Sequence, residues 1–384
     1  MPRFTRMLRS AYEARGHSVT IWSPDDWFHR RFRGTGLAKW AGYLDQYWLF
    51  PWSVRRRLTS TPDDTLFVFC DQALGPWVPL VSDRPHVVHA HDLLALRSAL
   101  GDFPENPTRL TGRIYQRFIR RGFQKARHFI SVSKKTQEDL HHFGKINPVT
   151  SEVIYNGLTF PYAPLAREAA IETLRGAGLP DLQEGFLLHV GGNQWYKNQH
   201  GVIALYRHYV ASESDPLPLW CVSPKPDAPM ATALARIPAD GRVRFVQGID
   251  NATLQAAYSH ARALLFPSLA EGFGWPLIEA QACGCPVITT DEAPMNEVGG
   301  DAALYLPRLR MNESLEDWAS AGASVLRRLL AESGTVRASR AERGRSWAKG
   351  FDGTRAIDRY LDVYSRVLSG TGRSDSASTK SGEC

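Results

Sequence analysis

Residues 267–290 read PSLAEGFGWPLIEAQACGCPVITT, and the way this stretch has to fold decides the architecture of the chain. Just ahead of it, Ala263-Leu264-Leu265-Phe266 is a short apolar run of the size of a buried strand. In the loop that follows, Gly272 and Gly274 flank Phe273 and let the backbone turn with its N–H groups open to a ligand. Pro276 suits a first helical position, where its missing N–H is not needed. Leu277, Ile278 and Ala280 to Ala282 continue a two-turn helix that Gly284 and Pro286 end. Val287-Ile288-Thr289-Thr290 is a second buried strand. Strand, glycine loop, helix and strand make a βαβ unit, the building block of an α/β protein.

A helix that starts at such a loop presents free amides and about half a positive charge, so it suits a phosphate. Two acids lie eight residues apart, Glu271 in the loop and Glu279 in the first turn of the helix. Carboxylates are good acceptors for sugar hydroxyls. The pair therefore suggests a ligand in which phosphate bridges two hydroxyl-rich groups, as in a nucleotide sugar. A plainer reading stands beside it: Glu279 complements the helix dipole and Glu271 is a solvated loop acid.

The chain's 384 residues suffice for two domains of ordinary size, and 43% hydrophobic with 22% charged residues is the composition of a globular protein. No apolar run approaches the roughly 18 residues needed to span a bilayer, and the N-terminal stretch is too polar for a signal peptide. Cys70, Cys221, Cys283, Cys285 and Cys384 form neither a disulfide framework nor a zinc spacing, which fits a reducing cytoplasm. The net charge of +7 is concentrated in the first half, at Arg30-Arg31 with Arg33, at Arg55-Arg56-Arg57 and from Arg113 to Lys135. Such a surface is either a set of solvated faces or one that meets anionic lipid headgroups or anionic substrates. No stretch interleaves aromatic and basic residues as a nucleic-acid module does, so no nucleic acid is expected as a partner.

Working outward, the second half opens with a helix from Ala166 to Gly176 and a strand Phe186–Val190. Gly191-Gly192 then starts a loop ending at Lys197, ahead of a helix from Gln199, so that Lys197 stands at a helix N-terminus beside a glycine turn. Strands at Leu219–Val222 and Val243–Val246 and a helix from Leu254 complete the approach to the opening stretch. A short strand at Ala303–Leu306 and helices at Leu315–Leu330, Val336–Phe351 and Gly353–Leu368 follow it. In the first half the pattern predicts a helix from Phe4 to Ala14 and strands at Val19–Trp22, Leu66–Phe69, His86–His89, Phe129–Ser133 and Val153–Tyr155. Nine aromatic residues between Trp27 and Trp52 are expected mostly in the core or in helix packing. Asp71 and the pair His91-Asp92 follow strands, where ligands gather in open α/β sheets. Ser133 is placed to cap a helix beginning near Lys134. A linker is expected at Phe160–Pro164, and residues 370–384 read as a disordered tail.

Together these features resemble the retaining GT-B glycosyltransferases of glycosyltransferase family 4. Glu271-Gly-Phe-Gly-Trp-Pro-Leu-Ile-Glu279 is similar to that family's paired-glutamate motif. Tyr196-Lys197-Asn198, the His91-Asp92 loop, Ser131-Val132-Ser133, Ile154-Tyr155-Asn156-Gly157 and Gly299-Gly300-Asp301 support the likeness. The resemblance implies two Rossmann-like doubly wound domains facing each other across a cleft. An acceptor-side domain would span 1–163 and a nucleotide-sugar domain 164–350, with a helix at 351–369 crossing back to the first. It implies that Lys197 binds the donor diphosphate, Glu271 the hydroxyls of the transferred sugar and Glu279 the ribose. Gly191, Gly192 and the amides of Phe273 and Gly274 would line the donor site, and His91 would come from the opposite domain to the reaction face. A metal-independent hexosyl transfer with retention follows from the same likeness, with neither cofactor nor metal. Its acceptor would be a glycan or a lipid-linked molecule in polysaccharide or glycolipid synthesis; a cytoplasmic location is expected from the cysteine usage, and peripheral contact with anionic membrane from the basic first half.

Two departures go with the resemblance. The loop Gly191 to Tyr196 lacks the arginine that the family often places before its lysine. The first half also opens on a helix, without the strand and glycine loop expected ahead of it, which suggests a true start upstream of Met1. A catalytically incomplete donor-binding or scaffold protein of the same fold, and a GT-B epimerase, are the alternatives.

Overall fold

The computed structural model describes residues 2–180 and 182–371. Its strands form two separate parallel sheets. The first contains β1 (Phe67–Phe69), β2 (His86–Ala90), β3 (His128–Ser131) and β4 (Thr150–Val153), side by side in chain order. The second contains β5 (Phe186–Val190), β6 (Leu219–Val222), β7 (Val243–Val246), β8 (Ala261–Phe266), β9 (Val287–Thr290) and β10 (Leu304–Leu306), in the spatial order β10-β9-β8-β5-β6-β7.

Both sheets are covered on both faces, which is why their strands read as unbroken apolar runs rather than as alternating ones. Successive side chains of a strand point to opposite faces. In the first sheet Val87 and Ile130 meet the helices Pro2–Glu13 and Gly353–Thr371, while Val88 and Phe129 meet Ile119, Phe123 and Leu140 on the other side. In the second, Phe186, Leu188, Leu264 and Phe266 pack toward Leu277 and Ile278. Leu187, Ala263, Leu265 and Ile288 pack toward Val202, Leu205 and Leu326. The final helix therefore belongs to the first sheet's core, where the Tyr364 hydroxyl lies 2.6 Å from Nε2 of buried His89 and accepts from Tyr12 at 3.0 Å.

Several expectations are corrected. Residues 17–26 form no strand: Val19 packs on the first core, but the segment makes no ladder with β1, and Pro24 could not donate to one. The fourth strand ends at Val153, two residues before the predicted limit. Of the nine aromatics between Trp27 and Trp52 only Phe50 is buried; Trp27, Trp40, Trp48 and Trp52 are 60–67% exposed on short helices. The last helix continues to Thr371, past the predicted start of the tail, and residues 372–384 lie outside the described residues. The expectation of a strand ahead of Met1 lies outside them too.

Candidate active site

In the second sheet the chain winds outward from β5 through β6 to β7, then returns and winds the other way from β8 through β9 to β10. The carboxyl ends of β5 and β8 thus flank the point where strand order reverses, the place where open α/β sheets leave a crevice for a ligand. Both sequence-selected loops rise there. After β5 come Gly191 and Gly192, a single tight turn at Trp195–Lys197, and Asn198 in the left-handed region at φ 52°. The Asn198 side chain accepts from Gly201 N at 3.2 Å, capping the helix Gln199–Val210, and donates to the Pro267 carbonyl at 3.0 Å. With Leu269 N donating to Tyr196 O at 2.7 Å, the two loops are stitched together.

That stitching brings Lys197 and Glu271 into contact. The ammonium donates to Oε1 of Glu271 at 2.6 Å, and the two side chains are 15% and 9% exposed. The same ammonium lies 4.9 Å from the centre of the Phe266 ring. Glu271 is therefore no solvated loop acid. Gly191 lies in a tight place, since a Cβ there would stand 3.1 Å from Nε2 of His189 and 3.3 Å from Cδ of Lys197. At Gly192 a Cβ would press on the Gln194 side chain. His189 is buried with Nδ1 on the Leu265 carbonyl at 2.9 Å; burial pulls its pKa down to about 4, that hydrogen bond opposes the fall, and the nearby Lys197 adds to it.

The helix Trp275–Ala282 starts from Gly274, whose φ of 98° only glycine adopts easily. Phe273 is buried against Trp275 and Phe351. Glu279 is buried as well and accepts from the Tyr258 hydroxyl at 3.0 Å. Burial first and that carboxylate second push the Tyr258 phenol well above its ordinary value. The two acids thus sit apart, Glu271 with a cation at the crevice and Glu279 with a phenol behind it. Tyr258 carried no signal in the sequence, because one tyrosine on an apolar helix face looks like core.

The first half meets this site directly. The Gly272 carbonyl accepts from Ser133 Oγ at 2.7 Å and from Thr136 Oγ1 at 3.0 Å. Ser133 also caps its own helix by accepting from Thr136 N, as the sequence predicts. Glu297 reaches across to accept from Lys134 N at 2.6 Å, and Arg308 donates to Glu105 at 2.8 Å. Phe103 and Trp195 join the halves at a ring-centre distance of 4.9 Å. These crossing contacts were missed because a single residue's partner in another domain leaves no periodic trace.

His91 is brought to the same junction by its backbone, while its ring turns the other way. Its Nε2 lies 2.9 Å from the Cys70 carbonyl, and Phe4 packs edge-on at 4.5 Å. Burial lowers its pKa to about 4, so the ring is neutral. Its neighbour Asp92 caps Leu94 N at 3.0 Å. Burial pushes the Asp92 carboxyl up, the Leu94 hydrogen bond opposes this, and Glu271 adds to the rise. Among the described residues no group of three or more His, Cys, Asp or Glu side chains is placed to hold a metal ion.

These buried histidines set a pH dependence. His89, His91 and His189 have folded pKa values of about 3, 4 and 4. The unfolded chain takes up protons at these side chains near pH 6.5 and the folded chain does not. Their stabilisation is thus complete above about pH 6.5 and is lost as pH falls toward 4. Asp71, raised to about 6 by burial, and Asp92, also raised, work in the opposite sense, but His86 and His128, both lowered by burial, add to the three histidines. The midpoint of thermal unfolding is expected to fall between pH 7 and pH 5; an equal or higher midpoint at pH 5 would contradict the neutral assignment.

Two family models match the chain: Glycosyltransferase Family 4 over residues 1–159 and Glycosyl transferases group 1 over residues 184–327. The O-antigen chain mannosyltransferase RfbU of Salmonella typhimurium is 26% identical over 201 residues, 52% of this chain and 52% of that one. The chain thus matches about half the length of that curated relative. Among solved structures, WaaG, a glycosyltransferase involved in lipopolysaccharide biosynthesis, aligns with a TM-score of 0.68 at 17% identity, over 94% of this chain and 95% of its own. Anabaena Alr3699/HepE in complex with UDP and glucose aligns with a TM-score of 0.62 at 16% identity, over 92% and 87%. At such identities the structural likeness speaks for the fold, and the two matched models speak for the kind of domain. By the first the chain has the GT-B fold, and by the second its two halves match glycosyltransferase domain models.

Proposed function

We propose that this protein moves a sugar from a nucleotide-diphosphate-sugar donor to a glycan or lipid-linked acceptor, with retention at the anomeric carbon and without a metal. The observation that carries the reading is the Lys197–Glu271 pair at the switch point of the second sheet. A buried ion pair is a weak stabiliser of a fold, so its place at the sheet's switch point, where open α/β sheets bind ligands, argues for a ligand. A cation beside a carboxylate complements a diphosphate beside sugar hydroxyls. Lys197 would hold the diphosphate, with the amides of Phe273 and Gly274 and the helix start at Trp275 adding positive potential. Glu271 would accept from the sugar's hydroxyls and Glu279 from the ribose, while Gly191 and Gly192 let the donor lie close to the backbone.

In the step itself the bond from the anomeric carbon to the diphosphate oxygen breaks as the acceptor oxygen approaches on the same face. The charge growing on the leaving diphosphate is stabilised by Lys197 and the helix start, a preorganised electrostatic effect. The acceptor's proton passes to a diphosphate oxygen, so no separate base is needed. His91 is brought from the first half by its backbone, but its neutral ring is held on the Cys70 carbonyl, so a hydrogen bond from it to the donor would require the ring to turn. The relatives named above, a mannosyltransferase of O-antigen chains and a protein solved with UDP and glucose, support a nucleotide-sugar donor and a surface-glycan acceptor. The place of action proposed is the cytoplasm, with the basic first half against the inner face of the membrane.

A thermal-shift screen of nucleotide sugars, followed by transfer assays with the best donor, tests the reading. A true donor at about 100 times its Kd adds about 2.7 kcal/mol to folding stability and raises the midpoint. Binding without turnover of any donor identifies the donor-binding scaffold alternative. No shift with any nucleotide sugar or nucleoside diphosphate removes the reading altogether.

A further inference from the structure

One feature left unused by the proposed chemistry is an apolar ridge on the first half. Residues 38–58 form one helical run, Ala38–Leu44, a π-turn at Asp45–Leu49, and Phe50–Leu58. Along it Trp40, Leu44, Trp48 and Trp52 follow one another at intervals of four and are 67%, 49%, 66% and 60% exposed. The helix Leu110–Phe123 carries two apolar faces. Ile119 and Phe123 are buried in the core, whereas Leu110, Ile114 and Phe118, on the opposite side, are exposed. At 100° per residue, Arg117 and Arg121 fall on that same outward face.

Ring contacts join the two helical runs into one surface. Trp40 meets Tyr43 at 5.9 Å, Tyr43 meets Tyr47 at 6.0 Å, and Tyr47 meets Phe118 at 5.5 Å. The Tyr47 and Tyr115 hydroxyls are 2.7 Å apart. The rim is cationic: Lys39 lies over Tyr43 and Arg56 over Trp52, and the helix Leu110–Phe123 has no acidic residue at all.

We propose that this ridge is a membrane-docking face, which seats its tryptophans and the Leu110-Ile114-Phe118 stripe in the headgroup region of an anionic bilayer. The pattern decides among occupants. A second copy of the chain would set arginine against arginine across a low-dielectric contact. Tryptophan is the side chain best suited to a boundary that is apolar on one side and wet on the other. Arginine beside it complements anionic headgroups, and helices of this kind lie in the interface plane. Among the described residues no helix is long and apolar enough to cross the membrane, so the contact is one of lying on the surface. The inference deepens the peripheral placement proposed above, and its test needs no substrate.

Flotation of the full chain with phosphatidylglycerol vesicles and with phosphatidylcholine vesicles reads the interaction directly. Binding is expected to the first, weakening between roughly 0.1 and 1 M salt as screening shortens, and little to the second. Replacing Arg117 and Arg121 by Gln is expected to cost about fivefold in partition for each charge removed. The triple variant Trp40→Ser, Trp48→Ser, Trp52→Ser is expected to lose more than about tenfold, with an unchanged unfolding midpoint because these side chains are exposed. Absence of wild-type binding to the anionic vesicles overturns the proposal. So does a triple variant that binds as well as wild type, or a wild-type dimer that the triple variant converts to monomer. Nucleotide-sugar binding by the triple variant should match wild type, which separates this inference from the assignment of the donor site.

Discussion

Alanine at position 197 is expected to stop sugar transfer, lowering kcat by about 10²- to 10³-fold, the size seen when one preorganised electrostatic donor is removed from a site of developing charge. Lys197 also balances Glu271, whose side chain is 9% exposed. Lys197→Ala therefore leaves a buried carboxylate without its cation, and breaking a buried pair on one side costs about 3 to 5 kcal/mol. Activity and stability would fall together, and a simple loss of fold could imitate a loss of chemistry. The double variant Lys197→Met with Glu271→Gln separates them. It removes both charges while nearly conserving shape, and replacing both members of a buried pair is often neutral. Its unfolding midpoint should return toward wild type while transfer stays at background. If it recovered transfer along with stability, Lys197 and Glu271 would be structural and the donor-site assignment would be wrong.

The second half was far more legible in the sequence than the first, for physical reasons. Its strands are buried on both faces, so Leu187–Leu188 and Ala263–Phe266 appear as bare apolar runs. Gly191, Gly274 and Pro276 punctuate the loops between them. Lys197 and Glu271 were picked out separately by their places after glycine turns, and the fold supplied the contact between them. The aromatic stretch from Trp27 to Trp52 misled because a tryptophan in a sequence signals burial. Here the i, i+4 spacing from Trp40 to Trp52 holds, but it faces outward. His91 shows a different limit. A strand-end position locates a residue's backbone, not the direction of its ring, and the ring turns toward Cys70 and Phe4. The Tyr258–Glu279 and Glu297–Lys134 contacts depend on packing between elements far apart in sequence, which local pattern does not encode.

Gly272→Ala is expected to be the most damaging small substitution in the cleft, although it adds a single methyl group. A Cβ at this position would stand 1.8 Å from the carbonyl oxygen of His91 and 2.8 Å from Cβ of Asp92. Both belong to the first half, and neither is the end of a flexible side chain that could swing aside. The junction between the halves must open, and the bonds from Ser133 and Thr136 to the Gly272 carbonyl would be strained or lost with it. Each half keeps a core of its own away from the clash, although Val132 of the first half packs into the second half's inner cluster. The unfolding midpoint should therefore fall only modestly. On the proposed function, transfer depends on the acceptor in the first half being held against a donor seated on the second, and a misplacement of about 1 Å costs on the order of 10²-fold in rate. Nucleoside-diphosphate affinity, which the proposed function assigns to Lys197 and Glu279 within the second half, should stay close to wild type by calorimetry. The expected signature is thus nearly normal donor binding with a collapsed kcat. A Gly272→Ala protein that transfers at the wild-type rate would show that the close junction of the two halves is not needed for the reaction.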